Sequence, residues 1–455
     1  MIHKYKLNGY NILLDVYSGA VHIIDELCFE LLELISEEDI TADSRPSAAF
    51  SALAGRYAPA DIEEAYAELR SLFLAGQLFS KDDYGVFADK IRPAPVKAMC
   101  LHIAHDCNLR CEYCFAAKGD FGRGRKLMDF ETGKKAIDFL IEQSSGRHNL
   151  EVDFFGGEPL MNMDTVKRLV AYARSLEKLH NKKFRFTLTT NGLLLDSDNM
   201  DFINAEMSNV VLSIDGRKEI NDRLRVTPGG KGSYDVIVPK YQELVKRRGR
   251  DKHYYVRGTF TGYNPDFTKD VLRLYELGFD QISVEPVVSE QGLPYAINPE
   301  DLPRIFTEYE TLAKTILEMK RRGDKINFFH FMLEPDSGPC AIKRLRGCGC
   351  GNEYVAVTPE GDIYPCHQFV GNEDYKMGSV YSGELDTGMK ERFSKTSIYH
   401  KPDCRDCWAK FYCSGGCNAN NLQYAGDINT PHEMSCRLGE KRLECALMIM
   451  AALAE

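Results

Sequence analysis

The chain is 455 residues long, enough for two or three domains with full-sized cores. Its formal net charge of −10 speaks against nucleic acid or an anionic membrane as a partner. Residues 1–17 mix Lys6, Asn8, Asn11 and Asp15 among apolar ones and do not read as a signal peptide. No uninterrupted apolar run is long enough to span a bilayer, and Cys445 to Ala454 reads as a helix end packed on the body. There are 15 cysteines. In a long chain without an export signal they point to metal sites in a reducing compartment, so the expected location is the cytoplasm. Cys28, Cys100 and Cys445 stand alone, three cysteines crowd between 107 and 114, and the rest fall between Cys340 and Cys436.

Residues 1–84 read as a small separate domain. Asn11–Val16 and Ala20–Ile24 look like strands joined at Ser18-Gly19. A helix follows over Asp25–Ile35, with Leu27, Leu31, Leu34 and Ile35 on one face. A second runs from Pro59 to Ala75, with Gly76 as its stop, and Leu78–Ser80 is expected as a last short strand. This winged-helix-like pattern fits a DNA-binding module or a peptide-binding one. The many acidic residues, among them Asp25, Glu26, Glu30, Glu33 and Glu37, argue against DNA. Residues 85–96, with Pro93 and Pro95, read as a linker.

Over 97–317 the pattern alternates strand and helix. The expected strands are Ala98–Ala104, Glu151–Phe155, Phe184–Thr190, Val210–Ile214, Tyr254–Thr261 and Gln281–Val284. Helices are expected at Glu131–Gln143, Met163–Leu179, Tyr234–Arg247 and Thr268–Leu277. Six such repeats argue for a parallel α/β fold, with ligands at the C-terminal ends of the strands. Periodicity alone does not separate a partial barrel from an open sheet. Residues 318–339 read as a bridge, and 340–455 as a cysteine-dense C-terminal domain.

The chemistry-bearing motif follows the first of these strands. Cys107, Cys111 and Cys114 have the spacing C-x3-C-x2-C. Thiolates so spaced can hold an iron–sulfur cluster, and three ligands leave one iron of a four-iron cluster open. A zinc site is the plain alternative, with His102 or His105 as a fourth ligand. Further along come Gly156-Gly157-Glu158-Pro159, Thr189-Thr190-Asn191-Gly192, Ser213-Ile214-Asp215-Gly216 and Asn221–Arg225. Each alone is an ordinary strand-end turn; in this order behind the cysteines, coincidence is a poor explanation. The C-terminal domain carries C-x12-G-x4-C (Cys348, Gly361, Cys366), then C-x2-C-x5-C-x3-C (Cys404, Cys407, Cys413, Cys417), then Cys436. Zinc ribbons are the alternative for the C-x2-C pair alone.

C-x3-C-x-Tyr113-C resembles the signature of the radical S-adenosylmethionine (SAM) enzymes, and the C-terminal spacing resembles their SPASM extension. Residues 1–84 resemble the peptide-recognition domain of ribosomal-peptide maturation systems, which binds a leader by strand addition. The resemblance is nearest to the maturases of SCIFF peptides. It implies a partial (β/α)6 barrel, three [4Fe-4S] clusters and SAM. Cys107, Cys111 and Cys114 would hold the SAM cluster. Gly156, Gly157 and Glu158 would hold the SAM amino group, Arg225 its carboxylate, and Ser213 the ribose, with Asn191 in the same pocket. Tyr113 would pack near the adenine, or be plain packing. Cys404, Cys407, Cys413 and Cys436 would hold a distal auxiliary cluster. Cys348, Cys366 and Cys417 would hold a proximal one, its fourth ligand being Cys340, Cys350 or a substrate thiolate. The implied activity joins a Cys sulfur to a Thr α-carbon in a cysteine-rich precursor peptide bound through its leader, with flavodoxin or ferredoxin as electron donor. Hydrogen-atom abstraction needs no acid or base, and none is assigned. The alternatives are another Cys thioether acceptor, such as Asp or Glu, a sulfatase-type oxidation of Cys or Ser, and a non-catalytic electron carrier. A carrier would not need the strand-end motifs. The role of Glu285 stays open.

Overall fold

The computed structural model describes residues 1–42, 44–88, 90–333 and 341–454. It opens with an antiparallel sheet of β1 (Ile2–Leu7), β2 (Tyr10–Asp15) and β3 (Val21–Ile24), in that spatial order. The β1–β2 turn is Asn8-Gly9, both at positive φ, the pairing that a tight hairpin favours. β1 was not expected from the sequence, because its Lys4 and Lys6 dilute the apolar signal. Four helices follow, at Glu26–Leu34, Glu37–Thr41, Ser47–Leu53 and Pro59–Leu74. The strand expected at Leu78–Ser80 does not form. Leu78 is buried, and Ser80 donates its N–H to Asp15 Oδ2 at 2.9 Å instead of joining the sheet.

The central sheet is built on β4 (Ala98–His105). A short β5 (Lys126–Leu127) pairs antiparallel to it. In parallel order from β4 run β6 (Asn149–Gly156), β7 (Lys183–Thr190), β8 (Met207–Ser213), β9 (His253–Phe260), β10 (Gln281–Pro286) and β11 (Asn327–Phe328). The six expected strands and four expected helices are present with slightly different ends. Side chains alternate as strand geometry requires. Leu150, Val152 and Phe154 of β6 are buried in the main core, while Glu151 and Asp153 are not. The sheet and its helices have the architecture of a partial (β/α)6 barrel. The helix Leu302–Arg321 and β11 lie partly within the stretch read as a bridge, so the barrel continues past residue 317.

The C-terminal part joins the other edge of the same sheet. β12 (Tyr354–Val357) pairs parallel to β4, and β13 (Asp362–Tyr364) and β14 (Gly378–Ser379) follow antiparallel. Gly361, at positive φ, turns the β12–β13 hairpin. The last helix, Glu433–Ala454, packs on Leu302–Arg321 and on the N-terminal sheet. No described helix is long and apolar enough to cross a membrane.

Candidate active site

The loop carrying Cys107, Cys111 and Cys114 leaves the C-terminal end of β4. Its backbone is pinned to the segment around Arg225: Arg110 N–H donates to the Val226 carbonyl at 2.7 Å and Glu112 N–H to the Leu224 carbonyl at 3.0 Å. The three thiols lie within electrostatic reach of one another. Burial, then Glu158, pushes Cys107 up to about 12, and burial pushes Cys111 up to about 11 against the opposing field of Arg225.

Gly156 and Gly157 have a local reason. An added Cβ on either would stand 2.2 Å from a backbone oxygen, that of Ala104 or Asp106 respectively. The end of β6 therefore lies against the start of the cysteine loop, with Gly157 N–H bonded to the Ala104 carbonyl at 2.7 Å. Glu158 is buried, and both its carboxylate oxygens are engaged within the chain. Oε1 accepts from Leu160 N–H and Thr190 Oγ1, and Oε2 accepts from Asn191 N–H at 2.7 Å. Burial raises its pKa, and these hydrogen bonds oppose the rise. Asn191 Nδ2 lies 2.7 Å from Asn108 Oδ1 and 3.6 Å from Cys107 Sγ.

Tyr113 is held by polar contacts. Its hydroxyl stands 2.8 Å from both oxygens of Asp215 and accepts from Arg225 Nη1 at 2.8 Å. Burial works against the Arg225 charge, yet Tyr113, Cys111 and Asp215 together hold its pKa well above the ordinary value. Burial raises Asp215, with Arg225 opposing. Ser213 ends β8 on the face of Arg257, its register partner. The structure thus brings Cys107 to Asn191 and Glu158, and Cys111 to Arg225 and Tyr113. The sequence reading passed over Asp215 and Thr190, although both stand in quoted motifs. It also missed Tyr241, whose hydroxyl donates to the Thr190 and Ser213 carbonyls at 3.2 and 3.1 Å and so ties two strand ends. A tyrosine inside a helix gives no such signal in sequence. Glu285, left open above, pairs with Arg257 Nη2 and stands 3.8 Å from His330 Nε2.

The C-terminal cysteines form two further groups. Cys404, Cys407, Cys413 and Cys436 act on one another electrostatically. In the other, Cys350 hydrogen-bonds with Cys348 and Cys366, and Cys417 is within reach of both of those. Cys350 thus stands with the expected proximal set, whereas Cys340 lies outside the described residues. Among the described residues, no three His, Cys, Asp or Glu side chains converge to hold a single metal ion. A four-iron cluster makes a different demand: each thiolate meets its own iron, so the sulfurs surround a volume rather than a point. Groups of three, four and four cysteines fit that demand. For SAM, Arg225 offers a buried Nε–H with no hydrogen-bond partner among the described residues, suited to an incoming carboxylate.

A family model described as a 4Fe-4S single cluster domain matches residues 97–238, and the SPASM iron-sulfur cluster-binding domain matches residues 348–408. The cysteine-type anaerobic sulfatase-maturating enzyme of Clostridium novyi is 25% identical over 332 residues, which cover 69% of this chain and 86% of that enzyme. The structure of native anSMEcpe with bound AdoMet and Kp18Cys peptide superimposes with a TM-score of 0.64 at 21% identity, covering 78% of this chain and 99% of that one. Streptococcus suis SuiB bound to precursor peptide SuiA gives a TM-score of 0.51 at 16% identity, covering 93% of this chain and 95% of that one. At such identities the structures show a shared fold. The two iron–sulfur models, in their order along the sequence, and the sulfatase-maturating relative support the radical SAM/SPASM maturase family for this chain.

Proposed function

We propose that the chain closes intramolecular thioethers in a ribosomally made, cysteine-rich precursor peptide, joining a Cys sulfur to a Thr α-carbon. The observation that carries the radical SAM part is the gathering of three cysteines with Asn191, Glu158, Tyr113 and Arg225 at the C-terminal strand ends. The thioether part rests on the resemblance to the SCIFF maturases. In this reading Cys107, Cys111 and Cys114 hold one cluster. Cys348, Cys350, Cys366 and Cys417 hold a second, and Cys404, Cys407, Cys413 and Cys436 a third. With Cys350 as a ligand, the substrate thiol is placed by the barrel and not by iron.

When bound, the clusters and SAM supply a carbon radical that takes the Thr α-hydrogen, and an acceptor for the electron released as the C–S bond closes. The chain's own part is placement. Arg225, fixed through Tyr113 and Asp215, offers its free Nε–H to the SAM carboxylate. Glu158 locks the ends of β6 and β7 together, and Asn191 stands beside Cys107. Residues 1–84 take the leader: among the described residues β3 pairs only with β2, which leaves its other edge for an added strand. The SuiB–SuiA complex supports peptide binding on this fold. Flavodoxin or ferredoxin supplies electrons.

The test is anaerobic. The reconstituted protein is given SAM, a reductant and a cysteine-rich precursor, and 5′-deoxyadenosine and peptide mass are followed. The expected result is deoxyadenosine with loss of two hydrogens per site and thiols that no longer alkylate. The Clostridium novyi similarity favours a second reading, oxidation of a Cys or Ser side chain to an aldehyde. That product reacts with hydrazides and leaves no thioether fragment. An unchanged peptide overturns both.

A further inference from the structure

Lys401 is among the largest side chains with no solvent exposure. Its ammonium donates to the Gly415 carbonyl at 2.7 Å and to Asn418 Oδ1 at 3.0 Å. Both acceptors are neutral, and a buried ammonium is costly unless an opposite charge compensates it. Burial lowers its pKa, and the side chains that oppose this electrostatically are cysteines: Cys404 and Cys413 from one C-terminal group, Cys350 and Cys417 from the other.

The backbone explains this position. The segment Cys413-Ser414-Gly415-Gly416-Cys417 crosses from one thiol group to the other, and Gly415 is its midpoint. Gly415 has φ +86°, and a Cβ there would lie 3.3 Å from Lys401 Nζ, so the lysine threads the inside of this turn. The Lys401 carbonyl in turn accepts the Cys404 N–H at 3.0 Å. Asn418, its second acceptor, turns its amide toward Cys350 Sγ at 3.9 Å. One side chain therefore touches the scaffold of both groups and coordinates neither.

We propose that Lys401 is the shared counter-ion of the two auxiliary iron–sulfur clusters, a positioning residue whose fixed charge favours the reduced state of each. This rests on the two-cluster reading above. Reduction adds negative charge to a cluster, and a cation held between two of them in a dry environment stabilises that charge at either site. An electron leaving the substrate can then be held on either cluster.

The experiment is a redox titration of reconstituted wild type, Lys401→Met and Lys401→Arg, followed by electron paramagnetic resonance, with iron counted per chain. Wild type should carry about twelve irons. Wild type with iron for only one cluster overturns this inference and the two-cluster reading together. In fully loaded Lys401→Met, both auxiliary midpoints should fall by about tenfold in the reduction equilibrium, ~59 mV for one electron. Lys401→Arg should stay near wild type. Unmoved midpoints, or a shift confined to one cluster, overturn the shared counter-ion while the clusters stand. Iron loss in the Met variant that Arg restores supports it, since the charge then gathers the thiolates. Equal iron loss in both variants overturns it.

Discussion

Between Arg225 and Asp215 the direct separation is 3.9 Å, and the Tyr113 hydroxyl sits between them. Asp215 also accepts the Thr259 N–H at 3.0 Å. Asp215→Asn leaves a buried guanidinium without its anion, a change that costs about 3–5 kcal/mol when a buried pair is broken from one side. Tyr113 and Cys111 still act on Arg225, so the lower end is expected in urea unfolding. A loss under about 1 kcal/mol would mean that Asp215 does not hold the arginine. His330 gives a second prediction. Arg442 Nη1 donates to its Nδ1 at 3.2 Å, which puts the ring proton on Nε2, facing Ser283 Oγ at 3.1 Å. Burial, then Arg442, holds its pKa down to about 3. A depressed histidine contributes stability above its unfolded pKa of about 6.5 and loses it as pH falls toward the folded value. Wild type should therefore lose up to about 1.4 kcal/mol per pH unit through this group below pH 6.5. His330→Gln keeps both hydrogen-bonding directions and lacks that dependence. The stability gap between the two proteins, from urea midpoints at pH 6.5 and 5.5, should close by about 1 kcal/mol, because the unfolded histidine is already half protonated at pH 6.5; a constant gap rejects it. At this scale the sequence named residue types well and contacts poorly. Glu158 was legible as a carboxylate at a strand end, but not as a buried one whose oxygens are both spent on Leu160, Thr190 and Asn191.

Strands of the central sheet were legible because they carry apolar residues at alternate positions, buried in the main core, a pattern that single-sequence periodicity detects. β1 and the Leu78–Ser80 segment were not, for one reason: short edges are decided by partners distant in sequence. β1 exists because residues 2–7 pair with residues 10–15, and Leu78–Ser80 stays irregular because Asp15 takes the Ser80 N–H. Likewise, the glycines of Gly156-Gly157 read as ligand-approach positions, and the structure adds a packing reason. A Cβ on Gly157 would stand 2.2 Å from the Asp106 carbonyl oxygen and 2.7 Å from that of Gly119, the two backbone segments that flank Cys107. Gly157→Ala must push the end of β6 off the cysteine loop, at a cost of about 1–3 kcal/mol for overpacking. The proposed first cluster should suffer most. The expected loss is about four irons per chain, with the C-terminal groups still loaded. A variant that keeps all its iron and its melting temperature would place no constraint on the loop at Gly157.

The N-terminal sheet is part of the whole molecule's core. Ile12 and Leu14 of β2 belong to the main core, while Leu13 between them packs with the domain's own helices. On the main-core side, Tyr5 OH donates to the Glu444 carbonyl at 2.7 Å, and His3 lies 3.1 Å from Glu444. The His3 ring stacks on Trp408 at 3.7 Å and 5°. The sequence reading of residues 1–84 as a separate domain could not see this, because one strand serves two cores by alternating its faces. The consequence bears on how leader recognition is tested. Deleting residues 1–84 uncovers the apolar face of Glu433–Ala454, so lost activity would report a damaged fold as readily as a lost peptide site. The deletion should lower the melting temperature and speed hydrogen exchange across Leu443–Ile449, whose side chains are largely buried in the intact chain. Leader dependence is therefore read from the peptide side, with the enzyme intact. A leaderless precursor should raise KM about tenfold or more and leave kcat nearly unchanged, the signature of lost uniform binding. If the leaderless peptide reacts with an unchanged KM, residues 1–84 serve as a structural brace for the last helix and not as a docking site; if kcat falls with KM, the leader also positions the reacting residues.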